Sequence, residues 1–179
     1  MKRILRIVVA ALFALGAGGA FASSDVKVED RARDALGDLY DAKPETRDVI
    51  ARAAGVLVFP RVYKAGAGVG AEFGEGVMFE RGVVSGHYNV ATASIGLQLG
   101  AQRRAQIIAF MDDAALAKFK NSKGWEAGVD GSIVIADLGK GGQADTKQLN
   151  EPILGFILGE KGLMYNATLE GSKITQTDD

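Results

Sequence analysis

The chain has 179 residues, of which 47% are apolar and 24% are charged, so it can bury a core and lacks the composition of a disordered protein. It contains no cysteine, which excludes disulfides, thiolate metal sites, thiol nucleophiles and the cysteine anchor of bacterial lipoproteins. Its single histidine, His87, excludes a zinc site built from several imidazoles. We expect neither a metal nor a cofactor.

The first 22 residues have the layout of a secretory signal peptide. Lys2, Arg3 and Arg6 precede a short apolar run, and Ala20-Phe21-Ala22 provides a cleavage sequence. The apolar run falls short of the roughly 20 residues that a membrane-spanning helix needs. We expect residues 1–22 to be removed and residues 23–179 to form a single domain that is exported to the periplasm or cell envelope.

Cleavage also changes the charge. Lys and Arg fall from 21 to 18 when the three basic residues of the leader are removed, against 22 Asp and Glu, so the mature net charge is −4. This balance excludes a typical nucleic-acid binder. Attraction to an anionic surface would have to come from a local basic patch.

Three helices are predicted. Residues 25–42 carry an apolar stripe at helical spacing, and Pro44 suits the first position of a second helix that Gly55 would end. Asp112 or Asp113 would cap a short third helix. The stripe of the first helix consists of Ala32, Ala35, Leu36, Leu39 and Tyr40.

The most unusual run follows a short apolar segment that closes at Pro60. Glycines occupy only even positions here, and mostly apolar residues occupy the odd ones, which is the alternation of a strand with one face stripped of side chains. Such a face lets another backbone or a helix approach closely. The glycines are Gly66, Gly68, Gly70, Gly74 and Gly76.

Further strands are predicted at 83–90, 93–99, 105–110, 125–138, 152–158 and 163–169, and the polar tail after Lys173 is expected to fray. Few helices separate these strands, which favours antiparallel pairing. The predicted fold class is α+β: a glycine-rich, strongly curved, mainly antiparallel and barrel-like sheet with two N-terminal helices and one short inserted helix.

No complete catalytic set can be assembled. The sequence from Gly66 to Ala71 matches a dinucleotide fingerprint, but a strand continues where that motif requires a helix. Ser85 and His87 lack a nucleophile elbow, and Glu72 and Glu75 would lie on opposite faces of their strand. We expect a protein that is not an enzyme.

Basic residues offer a binding surface instead. Arg61 and Lys64 follow Pro60, and Arg103 and Arg104 lie in a polar break between two apolar strands. If these turns share one side of the sheet, they form a cationic patch beside apolar strand ends. The alternative is ordinary solubilising charge on loops.

Several blocks occur in a recognisable order along residues 28–175. They are Gly55–Pro60 with the glycine alternation ending in Gly74-Glu75-Gly76, Ser94–Gln102, Phe119–Ser122 followed by Gly124–Glu126 and Gly128–Ser132, Lys161–Met164 and Leu169–Ser172. Together these blocks resemble the SYLF family, a lipid-binding domain also named for a yeast actin-patch protein.

The resemblance implies a lipid-binding module without known chemistry, whose eukaryotic relatives are associated with phosphoinositides and, in some cases, actin. An exported bacterial protein would meet neither actin nor, usually, phosphoinositides, so we expect anionic bacterial phospholipid as the ligand. The first helix is acidic, which favours contact through Arg61, Lys64, Arg103 and Arg104. The alternative is a structural or scaffold protein of the envelope that binds another protein.

We predict that the mature chain begins at Ser23. An intact-mass measurement of the exported protein should give the mass of residues 23–179. A mass that retains residues 1–22 would show an uncleaved anchor instead.

Overall fold

The computed structural model describes residues 25–96, 102–136, 150–160, 162–165 and 167–177, without the side chains of 65–69, 94–96 and 102. The predicted signal peptide lies outside the described residues. The packing predicted for Gly66 and Gly68 falls within 65–69, where only the backbone is described. Among the helices of these ranges, none has the length and apolar character needed to cross a bilayer.

All three predicted helices are present. Helix α1 covers residues 25–42 and α2 covers Thr46–Arg52. Helix α3, Asp113–Lys120, is capped by Asp112, whose carboxylate accepts a hydrogen bond from the Ala115 amide at 2.7 Å. Gly55 does not end α2 as predicted; the helix ends at Arg52 with Ala53 as its C-cap, and Gly55 begins the first strand.

In the described ranges, eight strands form one sheet in the order β4-β8-β2-β1-β3-β6-β5, with β7 paired to β6. All pairs are antiparallel except β5 with β6. The sheet curls strongly into a half-barrel, which confirms the predicted α+β class. The strands are β1 Gly55–Glu80, β2 Val83–Gly96, β3 Gln102–Phe110, β4 Trp125–Glu126, β5 Val134–Ile135, β6 Ile153–Gly159, β7 Gly162–Leu163 and β8 Ser172–Gln176.

Each face of the sheet covers its own apolar core. On one face, α1 and α2 pack against strand residues such as Val58 and Val77. On the other, α3 packs with an aromatic cluster formed by Phe110, Phe119 and Trp125. Neighbouring strand residues therefore alternate between the two cores. Of the predicted α1 stripe, Ala32, Ala35 and Leu39 are buried and Leu36 packs partly buried against the same core, while Tyr40 is half-buried. Val28, which the prediction did not include, is buried with them.

Pro60 does not close the first strand as expected. Phe59 is opposite Gln106 and Val62 is opposite Arg104, so Pro60 and Arg61 together face the single residue Ala105. This is a β-bulge, one of the few places where a strand accommodates proline, since a bulge leaves an amide unpaired. The bulge keeps both Phe59 and Val62 in the same core and allows β1 to continue for 26 residues.

The glycine alternation is a packing surface, as predicted, at Gly74 and Gly76. A Cβ atom placed on Gly76 would overlap the Phe59 ring and lie 2.8 Å from the Val58 carbonyl oxygen, and one on Gly74 would lie 2.6 Å from the Arg61 carbonyl oxygen. The segment that packs against Gly74 and Gly76 is the first half of β1 itself. The strand therefore bends so that its two halves lie face to face.

Three predicted strand assignments differ from the structure. The segments 83–90 and 93–99 form one strand, β2, over the described residues. Only Trp125–Glu126 and Val134–Ile135 are extended within 125–136, and β7 ends at Leu163. The tail does not fray at Lys173: Ser172–Gln176 forms β8 between β2 and β4, because Ser172 and Ile174 face the core.

We predict opposite effects for two glycine substitutions. Gly76→Ala should destabilise the fold by about 1–3 kcal/mol, because the new methyl group meets Phe59 and backbone. Gly37→Ala in α1, where nothing lies within 4 Å of the new Cβ, should stabilise it by about 0.5–1 kcal/mol through helix propensity. Urea unfolding, followed by the fluorescence of the buried Trp125, measures both. Equal effects of the two substitutions would contradict the close packing at Gly76.

Candidate functional site

The four predicted basic residues lie together on paired segments of β1 and β3. Tyr63 is opposite Arg103, and Val62 is opposite Arg104. Opposite residues of an antiparallel pair share a face, so the two adjacent arginines point to different sides of the sheet. The structure therefore brings the four cations to one end of the molecule but divides them between two environments.

Lys64 and Arg104 surround a buried acid that the sequence interpretation had not connected with them. Glu72 is only 4% exposed, and its carboxylate lies 2.5 Å from the Arg104 guanidinium and 3.3 Å from the Lys64 ammonium. The buried Gln106, with its amide oxygen turned toward Arg104, accepts from Nε and Nη2 at 3.2 Å. We call Glu72, Lys64, Arg104 and Gln106 the ion cluster.

The ion cluster follows directly from the bend in β1. Gly76 lies over Phe59 and Gly74 over Val62, so the next residue of the same face, Glu72, comes to lie at Lys64. Glu75 lies at an odd position of β1 and is exposed, whereas Glu72 lies at an even position and is buried. The two carboxylates therefore lie on opposite faces of the strand, as predicted. Two of the four predicted contact cations are therefore engaged in neutralising a buried charge.

Arg61 and Arg103 have a different environment. Both line a cavity of about 520 Å³ between α1 and the end of the sheet, which Arg104 also lines, and within the described part of the chain neither of them forms an ion pair. The bulge at Pro60 determines where Arg61 points, because it shifts the strand's alternation by one residue. Across the cavity, α1 contributes the carboxylates of Asp34, Asp38 and Asp41.

Two aromatic side chains are exposed at the same end. Tyr63 is 44% exposed and Phe73 is 59% exposed, and their ring centroids are 6.4 Å apart. An exposed pair of aromatic rings in contact is a feature of interaction surfaces, since each ring alone would gain from burial. The pair lies beside Arg103, the cross-strand neighbour of Tyr63.

The sequence interpretation missed the acids and aromatic rings of this site. The spacing of Asp34, Asp38 and Asp41 along α1 was a visible signal for one shared helix face. The even position of Glu72, shared with the packed glycines, was a signal for burial. Nothing in the sequence indicated that Tyr63 and Phe73 would meet, because that contact depends on the bend in β1.

His87, the histidine considered in the sequence, lies between a strand and a helix. Nε2 of the half-buried His87 lies 3.4 Å from a Glu29 carboxylate oxygen, between β2 and α1. Among the residues that the structure describes, no group of three or more His, Asp and Glu side chains is arranged to hold a metal ion.

We predict that the two adjacent arginines differ in their effect on stability. Arg104→Gln should cost about 1.5–3 kcal/mol, because it leaves the buried Glu72 carboxylate with one cationic partner. Arg103→Gln should stay within about 0.5 kcal/mol of the parent, as expected for an exposed side chain without an ion pair in the described residues. Urea unfolding compares the two. In the Glu72→Gln/Arg104→Gln variant much of the loss should be recovered, and equal losses for Arg103→Gln and Arg104→Gln would contradict the ion cluster.

Comparison with known proteins gives a family match in the second half of the chain. A family model described as "Ysc84: Las17-binding protein actin regulator" matches residues 91–179. No curated protein matches the chain. The matched range contains the predicted blocks from Ser94 onward, whereas the block from Gly55 to Gly76 lies outside it. The resemblance predicted from the sequence is confirmed, and the chain belongs to the SYLF, or Ysc84, family.

Proposed function

We propose that the chain is a non-enzymatic phospholipid-binding module of the bacterial cell envelope that docks on anionic membrane surfaces. The family is associated with lipid- and actin-related binding. The observation that supports a membrane surface as the target is the exposed Tyr63–Phe73 pair beside Arg61 and Arg103. We call these four residues the docking end.

The docking end combines the two contributions that peripheral binding requires. Aromatic rings favour the boundary between headgroups and acyl chains, where one part of the ring is apolar and the other meets water. Cations next to them are attracted to anionic lipids by about 1 kcal/mol each. Among the described large apolar side chains that are exposed, Tyr63 and Phe73 are the ones whose rings contact each other.

The charge available for this attraction is smaller than the sequence suggested. Lys64 and Arg104 together exceed the charge of Glu72 by one, and Arg61 and Arg103 add two, so this group has a net charge of three. The acids of α1 lie across the cavity, and the mature chain is acidic as a whole. Binding should therefore be weak, reversible and reduced by salt.

Export supports the choice of ligand. With residues 1–22 as a cleavable leader, the domain would meet bacterial phospholipids in the periplasm or at the cell envelope, whereas actin is absent there. The family description, which names a protein ligand, favours the second candidate: an envelope scaffold that binds another protein. Such a scaffold would be indifferent to vesicles and would retain a protein partner on purification.

We predict that the mature chain sediments with phosphatidylglycerol vesicles at low salt and not with phosphatidylcholine vesicles. Arg61→Gln/Arg103→Gln should abolish this binding without unfolding the protein, because neither arginine belongs to the ion cluster. Tyr63→Ser/Phe73→Ser should weaken it by removing the apolar contribution.

The matched control is Lys27→Gln/Lys123→Gln, which removes the same charge from exposed positions that do not line the cavity. This control should bind as the parent does. If both arginine and control variants lose binding equally, only overall charge matters and the docking end is wrong. If the parent binds no vesicle, the scaffold candidate replaces the lipid module.

A further inference from the structure

The cavity between α1 and the sheet has walls of opposite charge. Its volume of about 520 Å³ lies within the range of roughly 300–1,000 Å³ that small-molecule sites occupy. The sheet side contributes three bases, Arg61, Arg103 and Arg104, and one acid, Glu160, so its net charge is positive. Helix α1 contributes three acids, Asp34, Asp38 and Asp41, and one base, Arg31, so its net charge is negative. Its size suits a small polar molecule, and its walls present both signs of charge to whatever enters.

The acidic wall is one face of α1. Arg31, Asp34, Ala35 and Asp38 line the cavity at spacings of three and four residues, so they project from the same side of the helix. Ala35 is also part of the buried core beneath α1, which fixes the rotation of the helix. The aspartates are therefore held at the cavity by the packing that docks the helix.

The opposite charges do not neutralise one another. Within the described residues, no ion pair within 4.0 Å joins Arg61 or Arg103 to an aspartate of α1. Asp34, Asp38 and Arg103 are exposed, so their charges face solvent. The walls stand apart across the cavity, and a molecule placed between them could contact both.

The floor of the cavity is apolar. Ala35 and Leu158 are buried, and Ala105, the residue opposite the bulge, is half-buried. This floor can contact a short methylene chain, while the charged groups at its two ends face the walls. A ligand with two charged ends and an apolar middle fits this arrangement.

We infer that this cavity binds a zwitterionic headgroup in which an ethanolamine-type ammonium is linked to a phosphate. Arg61 and Arg103 would bind the phosphate, since guanidinium groups match phosphate oxygens in charge and geometry. Asp34 and Asp38 would bind the ammonium. A purely anionic ligand is repelled by the aspartates and a purely cationic one by the arginines, so the zwitterion is selected by both walls.

The inference rests on the proposed function, because it names the headgroup that a membrane-docked module would take from the bilayer. Arg103 connects the two surfaces: it lines the cavity and is the cross-strand neighbour of Tyr63 at the docking end. A headgroup at the docked surface would therefore lie next to the cavity.

The first experiment uses the soluble headgroup without a membrane. Glycerophosphoethanolamine is titrated into the mature chain by calorimetry, in parallel with glycerophosphoglycerol, ethanolamine and glycine. The zwitterionic phosphodiester should bind about tenfold more tightly than glycerophosphoglycerol, which has the same phosphodiester charge but no ammonium, the ratio expected for one added charge-assisted hydrogen bond. Tighter binding of glycine would assign the cavity to amino acids and overturn the inference.

The second experiment separates the two walls. Asp34→Asn/Asp38→Asn should lose the preference for glycerophosphoethanolamine and bind phosphatidylglycerol vesicles more strongly than the parent, because the anion no longer meets the aspartates. Asp30→Asn/Asp48→Asn removes the same charge from exposed positions that do not line the cavity, and it should keep the headgroup preference. Loss of that preference in this control would contradict a role for the cavity.

The outcomes for the two proposals are distinct. If phosphatidylglycerol vesicles bind at the docking end while glycerophosphoethanolamine does not bind, the inference fails and the proposed function stands. If the headgroup binds and vesicles do not, the cavity is a site for the soluble molecule, and the membrane-docking function fails. The fluorescence of Trp125 verifies that each variant is folded.

Discussion

The structure depends on the contact of β1 with itself. A strand of 26 residues would extend well beyond a domain of this size if it were straight. At Gly74 and Gly76 the absence of a side chain lets the two halves approach until backbone and the Phe59 ring fill the space. The half-barrel, both cores and the position of the candidate site follow from this approach, because β2 and β3 pair with different halves of the same bent strand.

The same contact explains why a carboxylate is buried at one end. The face that carries the glycines continues to Glu72. Here the two halves of β1 still face each other, but the contact between them is an ion pair of Glu72 with Lys64. Lys64 and Arg104 compensate for the desolvation of this carboxylate, which would be costly if it were alone. Arg61 and Arg103 line the cavity without an ion pair in the described residues, whereas Arg104 lines it while paired with Glu72. Of the two adjacent arginines, Arg103 and Arg104, only one is thus engaged with the buried acid, because they lie on opposite faces of the strand.

Much of the fold could be predicted from the sequence, because periodicity and capping are local. The stripe of α1, the Asp112 cap and the packed glycines were all visible as patterns. Pro60 was misinterpreted because a bulge depends on the partner strand, which periodicity along one strand does not reveal. The tail was misinterpreted for a similar reason: β8 is polar on one side, and only its pairing with β2 shows that Ser172 and Ile174 are buried. Of the candidate site, the sequence predicted only the cations, since the aspartates and aromatic rings join them only through tertiary contacts.

The bulge at Pro60 and Arg61 also restricts how the chain can vary in length. Losing one residue there would restore regular alternation and exchange the two faces of every residue before it, so that side chains of one core would point into the other. The turn at Arg81–Gly82 is not constrained in this way, because it joins β1 to β2 at the surface. Relatives of this protein should therefore tolerate insertions at the turn and keep the residue count between Phe59 and Val62 unchanged.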